Sequence, residues 1–305
     1  MMNSPSNAPL NPADIDPDLW CLFDQYVHGQ IDRRGFLDKA TRFAVASGTT
    51  SIALLTALSP NFALAQKVAP SDARLKTESV EFASPAGYGK VRAYVARPAQ
   101  AKGPLPVILV VHENRGLNPH IEDVARRLAL EGFIAVAPDA LFPLGGYPGD
   151  EDKARDLFGK LDQAKTREDF VAAASYAGGI AGTGGSNGKL GAIGFCYGGG
   201  MVNFLATRVP ELLAGVPFYG APAPADQVDK IKAELVLVFA DNDERINAAW
   251  PAYDEALKAA GVKHSAYKYP GTQHGFNNDT TPRFNAEAAA QAWGRALELF
   301  NRTLR

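Results

Sequence analysis

One short stretch limits what this chain can fold into more than any other: Gly194-Phe195-Cys196-Tyr197-Gly198, followed directly by Gly199 and Gly200. The apolar run Leu190 to Ile193 stands before it and reads as a buried strand. Behind it, Met201 to Ala206 carries apolar residues at helical spacing. The pattern is therefore a strand that turns sharply into a helix with a nucleophilic side chain at the apex. The apex residue takes a strained backbone, and the positions two before and two after it pack too closely for a Cβ, so glycine suits them. Alone, the stretch also fits a buried cysteine serving as a small apolar side chain beside a turn.

Residues 1–65 differ in character from the rest. Met1 to Asp18 is rich in Pro, Asn and Asp and reads as disordered. Asp32-Arg33-Arg34-Gly35-Phe36-Leu37 then leads into Phe43 to Leu58, 16 residues without charge. That is short of the roughly 20 needed to span a bilayer. Ala63-Leu64-Ala65 behind it is a small-x-small cleavage pattern. Paired arginines, a modest apolar region and Ala-x-Ala resemble a twin-arginine export signal. This reading expects the translocase as a partner through Arg33 and Arg34, cleavage after Ala65, and a periplasmic or secreted protein without a stable membrane anchor. The competing reading is an amphipathic helix packed on the domain. Cleavage would remove Cys21 and leave Cys196 as a lone thiol, reactive or protected in an oxidising compartment.

A polar linker over 66–77 leads into one domain over 78–305, for which 46% hydrophobic composition is ample. A net charge of −2 without a basic stripe excludes nucleic acid as an evident partner. Glu78–Phe82 and Val91–Val95 alternate as the strands of a hairpin. Pro106–Val111 and Phe133–Ala137 are continuously apolar, flank a helix over 119–131, and imply parallel strands with helical crossovers. A Gly/Pro-rich loop over 140–149 and a polar helix over 150–161 make a candidate lid or a solvated excursion. A helix from Thr166 to Ala181 delivers the chain to the elbow. Strands at Leu213–Tyr219, Leu235–Ala240 and Ser265–Tyr269, with helices near 248–260 and 283–302, complete a mostly parallel, doubly wound α/β sheet of the α/β-hydrolase type.

In that fold the acid and the histidine follow the nucleophile in order. His274 stands so, and the acid is Asp241 or Asp243, each just after a strand-like run. Cys196 needs a base or a favourable field to become thiolate. A helix N-terminus supplies part of this, and His274 can take the proton while a carboxylate sets its tautomer. His28 lies in the expected leader, His112 precedes the nucleophile, and His120 and His264 fall outside loops that reach the elbow. The oxyanion hole is expected from the backbone N–H groups of Tyr197 and Asn114. Glu113 beside a thiol opposes thiolate formation unless it has a role there.

From about Glu78 to the C-terminus the chain resembles the dienelactone hydrolase (carboxymethylenebutenolidase-like) family. The matching stretches are Gly-Phe-Cys196-Tyr-Gly-Gly, His-Glu113-Asn-Arg-Gly, Pro138-Asp139, Asp243-Glu-Arg-Ile and Gln-His274-Gly-Phe. The resemblance implies Cys196, His274 and Asp243 as a triad, with Asp243 selected over Asp241. It implies that Glu113 contacts the resting cysteine and helps generate the thiolate when substrate binds, and it implies neither metal nor cofactor. The family holds a substrate carboxylate with arginines, one shortly after the catalytic histidine, where this chain has Asn277 and Asn278. Arg115 and Arg155 are the expected substitutes, with Phe276 and Asn278 beside them. Hydrolysis of a small ester or lactone through a thioester is the expected activity. A thiol redox protein and a non-catalytic binding protein are the alternatives, the first lacking a resolving cysteine in the cleaved chain.

Overall fold

The apolar runs from Leu75 onward become one eight-stranded sheet in the computed structural model, which describes residues 15–62, 66–179 and 185–305. Its strands are β1 (Leu75–Ser84), β2 (Gly89–Pro98), β3 (Leu105–Val111), β4 (Ile134–Pro138), β5 (Ser186–Phe195), β6 (Leu212–Phe218), β7 (Glu234–Asn242) and β8 (His264–Gln273). The order across the sheet is β1-β2-β4-β3-β5-β6-β7-β8. β1 and β2 pair antiparallel, as does β2 with β4, and every later pairing is parallel. The central strands are buried along their length, because parallel strands with helical crossovers are covered on both faces. In register, Val111 lies beside Gly194, and Phe195 beside Phe218. The loops after β3, β5, β6 and β7 therefore emerge together at one edge.

The stretch read as an export leader is a packed helical unit. It contains α1 (Pro17–Val27), α2 (Arg33–Ala46) and α3 (Ser51–Leu58). Asp16, Asp32 and Thr50 each cap the helix that follows by accepting a backbone N–H, at 2.8, 2.7 and 3.1 Å. Pro17 at the first helical position suits the start of α1, so the Pro- and Asp-rich opening includes a helix start. Leu19, Trp20, Phe23, Tyr26, Phe36 and Leu58 bury one another in a core of their own. Ala63-Leu64-Ala65 and residues 1–14 lie outside the described residues. Among the described residues no helix is long and apolar enough to cross a membrane.

Helices then cover both faces of the sheet: α4 (Pro119–Leu130), α5 (Glu151–Phe158), α6 (Gln163–Gly179), α7 (Tyr197–Arg208), α8 (Glu244–Asn247), α9 (Trp250–Ala259) and α10 (Ala286–Leu304). α4 and α10 pack on one face, where Phe133 meets Phe300 edge-on at 6.0 Å. α6, α7 and α9 pack on the other. The 140–161 excursion is the shelf that carries the N-terminal unit. Asp152 on α5 takes the Tyr26 hydroxyl and Arg33, the latter at 2.6 Å, and Arg155 lies 4.3 Å over the Tyr26 ring.

Candidate active site

The elbow is built from backbone contacts that exclude side chains. Cys196 sits at φ +56°, a conformation an L-residue holds only where its surroundings enforce it. A Cβ on Gly194 would lie 2.2 Å from the carbonyl oxygen of Gly198, and one on Gly198 would lie 2.2 Å from that of Val111. These approaches let α7 start directly at the nucleophile and bring its N-terminus against the loop after β3. Gly198→Ala should therefore push that loop away, destabilise the fold by about 1–3 kcal/mol, and impair turnover beyond the loss of folded protein. Urea melts beside kcat on the folded fraction test this, and unchanged kcat would show the approach is not needed.

The Cys196 thiol is buried beside two imidazoles. His28 Nε2 stands 3.5 Å from Sγ, and the donor atoms of Cys196, His28 and His274 all lie within 4.8 Å of one another. His274 is buried and its Nδ1 donates to Asp243 Oδ2 at 2.5 Å. That bond leaves Nε2 for the nucleophile; it has no hydrogen-bond partner among the described residues. Asp241, two residues away, instead accepts from the Gly271 N–H at 3.1 Å and meets Lys268 at 3.4 Å. Burial opposes ionisation of the thiol, but the charges of the neighbouring His274 and His28 outweigh it and bring Cys196 down to about 5. Burial likewise opposes charge on His274, yet the thiolate and Asp243 hold it up at about 10. Each charge favours the other, so both shifts run toward a thiolate–imidazolium pair.

Three donors this close could meet a soft cation. The guanidinium of Arg245, 2.9 Å from His28 Nε2, puts positive charge where such an ion would sit.

As the first residue of α7, Tyr197 has a backbone N–H with no acceptor within the helix, directly after Cys196. Asn114 lines the cavity beside Cys196, and its Nδ2 donates to the Val27 carbonyl at 3.0 Å. His112, two residues before it, is a structural residue. Its Nε2 accepts the Ala140 N–H at 3.1 Å, so the proton is on Nδ1, which donates to the Glu113 carbonyl at 2.5 Å. Burial pushes its pKa down and keeps it neutral.

Of the other expected site residues, Glu113, Arg115 and Asn278 border a small pocket with Cys196 and His274, but their side chains are engaged with partners other than the thiol. The Glu113 carboxylate accepts from Asn278 Nδ2 at 2.9 Å, which occupies Asn278 as well, and the side chain bonded to Sγ is His28. Arg115 is buried against the Asn114 side chain (2.7 Å) and the Val27 carbonyl (3.1 Å). Arg155 is taken by Tyr26 and Asp152. Phe276 is a core residue, wedged between Tyr219 and Tyr269. None of Arg115, Arg155, Phe276 and Asn278 lines the main cavity beside Cys196. That cavity holds about 490 Å³ and is walled by Phe158, Met201, Phe204 and Ile246, with Arg167 and Arg245 as its cations. A gap of about 40 Å³ remains on the Glu113 and Arg115 side of Cys196, under the N-terminal unit.

Sequence reasoning missed His28, Arg167, Arg245 and Tyr219. For His28 a signal existed: Asp16-Pro17 is a helix start, and Asp24 and His28 fall four apart on that helix. Nothing local marks Arg167 or Arg245, which reach the cavity only through the packing of α6 and α8.

Comparison with known proteins bears on the fold and the family. A sequence profile described as the dienelactone hydrolase family matches residues 91–304, and one described as YqhI-like matches residues 7–45. An Escherichia coli K12 protein described as a candidate carboxymethylenebutenolidase is 35% identical over 222 residues, covering 68% of this chain and 81% of its own. A crystallised candidate dienelactone hydrolase from Klebsiella pneumoniae is 32% identical, with a TM-score of 0.65 over 74% of this chain and 99% of its own. A crystallised esterase, 18% identical with a TM-score of 0.64, covers 99% of both chains, so its likeness in fold extends over the N-terminal helices.

Proposed function

The chain belongs to the dienelactone hydrolase family and is a hydrolase of the ester and lactone type, and we propose that it works through Cys196, His274 and Asp243 with a thioester intermediate. The observation that carries this reading is the Asp243–His274–Cys196 constellation at the apex of the elbow, with the Asp243–His274 bond of 2.5 Å. The thiolate sulfur adds to the substrate carbonyl carbon, and the carbonyl π pair moves onto oxygen, where the Tyr197 and Asn114 N–H groups receive it. The tetrahedral adduct collapses, the C–O bond to the leaving group breaks, and His274 Nε2 gives its proton to the departing oxygen. The products of this half are a thioester and a neutral His274. Water then attacks the thioester carbon as His274 takes its proton, the C–S bond breaks, and the acid leaves with the thiolate–imidazolium pair restored. Asp243 keeps Nε2 facing the sulfur in both halves.

The cavity favours a small substrate with an apolar body. Phe158, Met201, Phe204 and Ile246 offer it contact area, and Arg167 and Arg245 can take a polar or anionic end. Arg115 is committed to the Val27 carbonyl and to Asn114, so a dienelactone carboxylate has no free arginine there. The test is a panel of esters and lactones, followed by intact mass after brief mixing. The expected result is turnover with an acyl adduct on Cys196, absent from Cys196→Ala. Turnover that survives in Cys196→Ala, or hydrolysis with no role for the thiol, would overturn the mechanism. Peroxide-dependent turnover without esterase activity would favour the redox alternative.

A further inference from the structure

We propose that the N-terminal helical unit is a cap that completes the active site, and that His28 is a positioning residue that holds the Cys196 nucleophile as thiolate together with His274. The proposal deepens the reading of Cys196 as the nucleophile and rests on it.

Four observations support it. First, the end of α1 is fastened to the catalytic loops by its carbonyls: Val27 accepts from Asn114 Nδ2 (3.0 Å) and Arg115 (3.1 Å), and Tyr26 accepts from Arg155 (3.3 Å). Second, this fastening sets His28, the residue that closes α1, with Nε2 3.5 Å from Sγ and its ring 4.8 Å from that of His274, nearly perpendicular. Third, the orientation is imposed from behind, since His28 Nδ1 bonds the Asp24 carbonyl at 2.8 Å and faces the Asp24 carboxylate at 3.2 Å. The ring is thus anchored through Nδ1 on the Asp24 carbonyl, with Nε2 turned toward Sγ and toward Arg245. Fourth, the cap has a core of its own and is joined to the domain by Arg33–Asp152 and by the Asn61 N–H to the Thr280 carbonyl at 2.7 Å.

The charged groups facing His28 decide which form it takes. The Cys196 thiolate and Asp24 favour the imidazolium. Burial and His274 oppose it, and Arg245, which donates to Nε2 at 2.9 Å when the ring is neutral, must yield that nitrogen when it is protonated. Arg283 reaches Asp24 at 3.9 Å and Arg245 reaches it at 4.0 Å, so Asp24 is shared and stays ionised. The balance raises the His28 pKa. The same docking narrows the Glu113 side to the small gap, leaving the 490 Å³ cavity as the room for substrate.

The experiment uses the full chain carrying Cys21→Ser, so that Cys196 is its one thiol. Iodoacetamide alkylation is followed against pH for this protein and for His28→Gln, His28→Ala and Asp24→Asn in the same background, each checked by circular dichroism. The parent should show its midpoint near about 5. Loss of an opposite charge this close should raise the midpoint by about 1–3 units in both His28 variants, and by less in Asp24→Asn. The kcat/KM loss of His28→Gln should be largest at low pH and recover as pH rises past the new midpoint, which a merely structural role would not produce. Folded His28 variants with the parent midpoint, or a lower one, would overturn the proposal. So would an active enzyme from its native host whose chain begins after Ala65, because that form lacks His28. Alkylation reads the thiol without substrate, so a protein that turns over no ester would sink the hydrolase mechanism while the His28 test still returned an answer.

Discussion

His274→Ala is expected to lower kcat about 10⁶-fold, the scale seen when the histidine of a serine hydrolase triad is removed. The size follows from two jobs lost together. His274 protonates the leaving group and later accepts the proton of the attacking water, and its charge is the largest favourable influence on the thiolate. The wild-type kcat/KM should be level between limbs near about 5, where Cys196 protonates, and about 10, where His274 loses the proton the leaving group needs. In His274→Ala the upper limb should vanish and the lower one should move up, because a depressed thiol pKa relaxes when its partner charge is removed. Stopped-flow acylation and steady-state pH profiles of the two proteins check this. A variant within about tenfold of wild type would show that His274 is not the acid–base group.

Asp243→Asn should cost about 10⁴-fold in kcat with the fold intact, because an amide at this position favours the wrong imidazole tautomer. The bond at stake is the 2.5 Å contact to Nδ1 of a buried ring. Asp241→Asn should stay within about fivefold, since Asp241 is partly exposed and its ion pair with Lys268 is of the surface kind. Parallel kcat measurements with near-ultraviolet dichroism as the folding control decide it. The reverse ranking would place the acid two residues upstream.

Glu113 reads differently in structure and in sequence. The resemblance put its carboxylate on the resting thiol, which would make the free enzyme slow to alkylate at neutral pH. The carboxylate instead accepts from Asn278, and imidazoles surround the sulfur, so fast alkylation is expected at neutral pH. A one-dimensional pattern gives the residue type in the loop after β3. Which of two nearby partners that residue bonds depends on the side chains across the gap, and Asn278 arrives from a loop 165 residues away.

The sequence by itself determined the architecture and placed a cysteine at the elbow with His274 and two candidate acids downstream. Apolar runs long enough only for strands, helical segments between them, and glycines where no Cβ can stand are local constraints, and they recur in order along the chain. The choice of Asp243 over Asp241 came from the resemblance, and the direction of the two side chains came from the packing of β7 against β8. Tertiary structure alone decided the surroundings of the thiol. Arg33-Arg34 followed by an uncharged stretch has the same local signature in an export leader and in a packed amphipathic helix. The burial of Phe23, Tyr26 and Phe36 against one another, and the seating of α1 on Arg115 and Arg155, are visible only in the folded chain. His28 acts on Cys196 from 168 positions away, a contact set by helix docking across the sheet edge. No sequence period encodes it, because its energy comes from surfaces that meet only once the chain has folded.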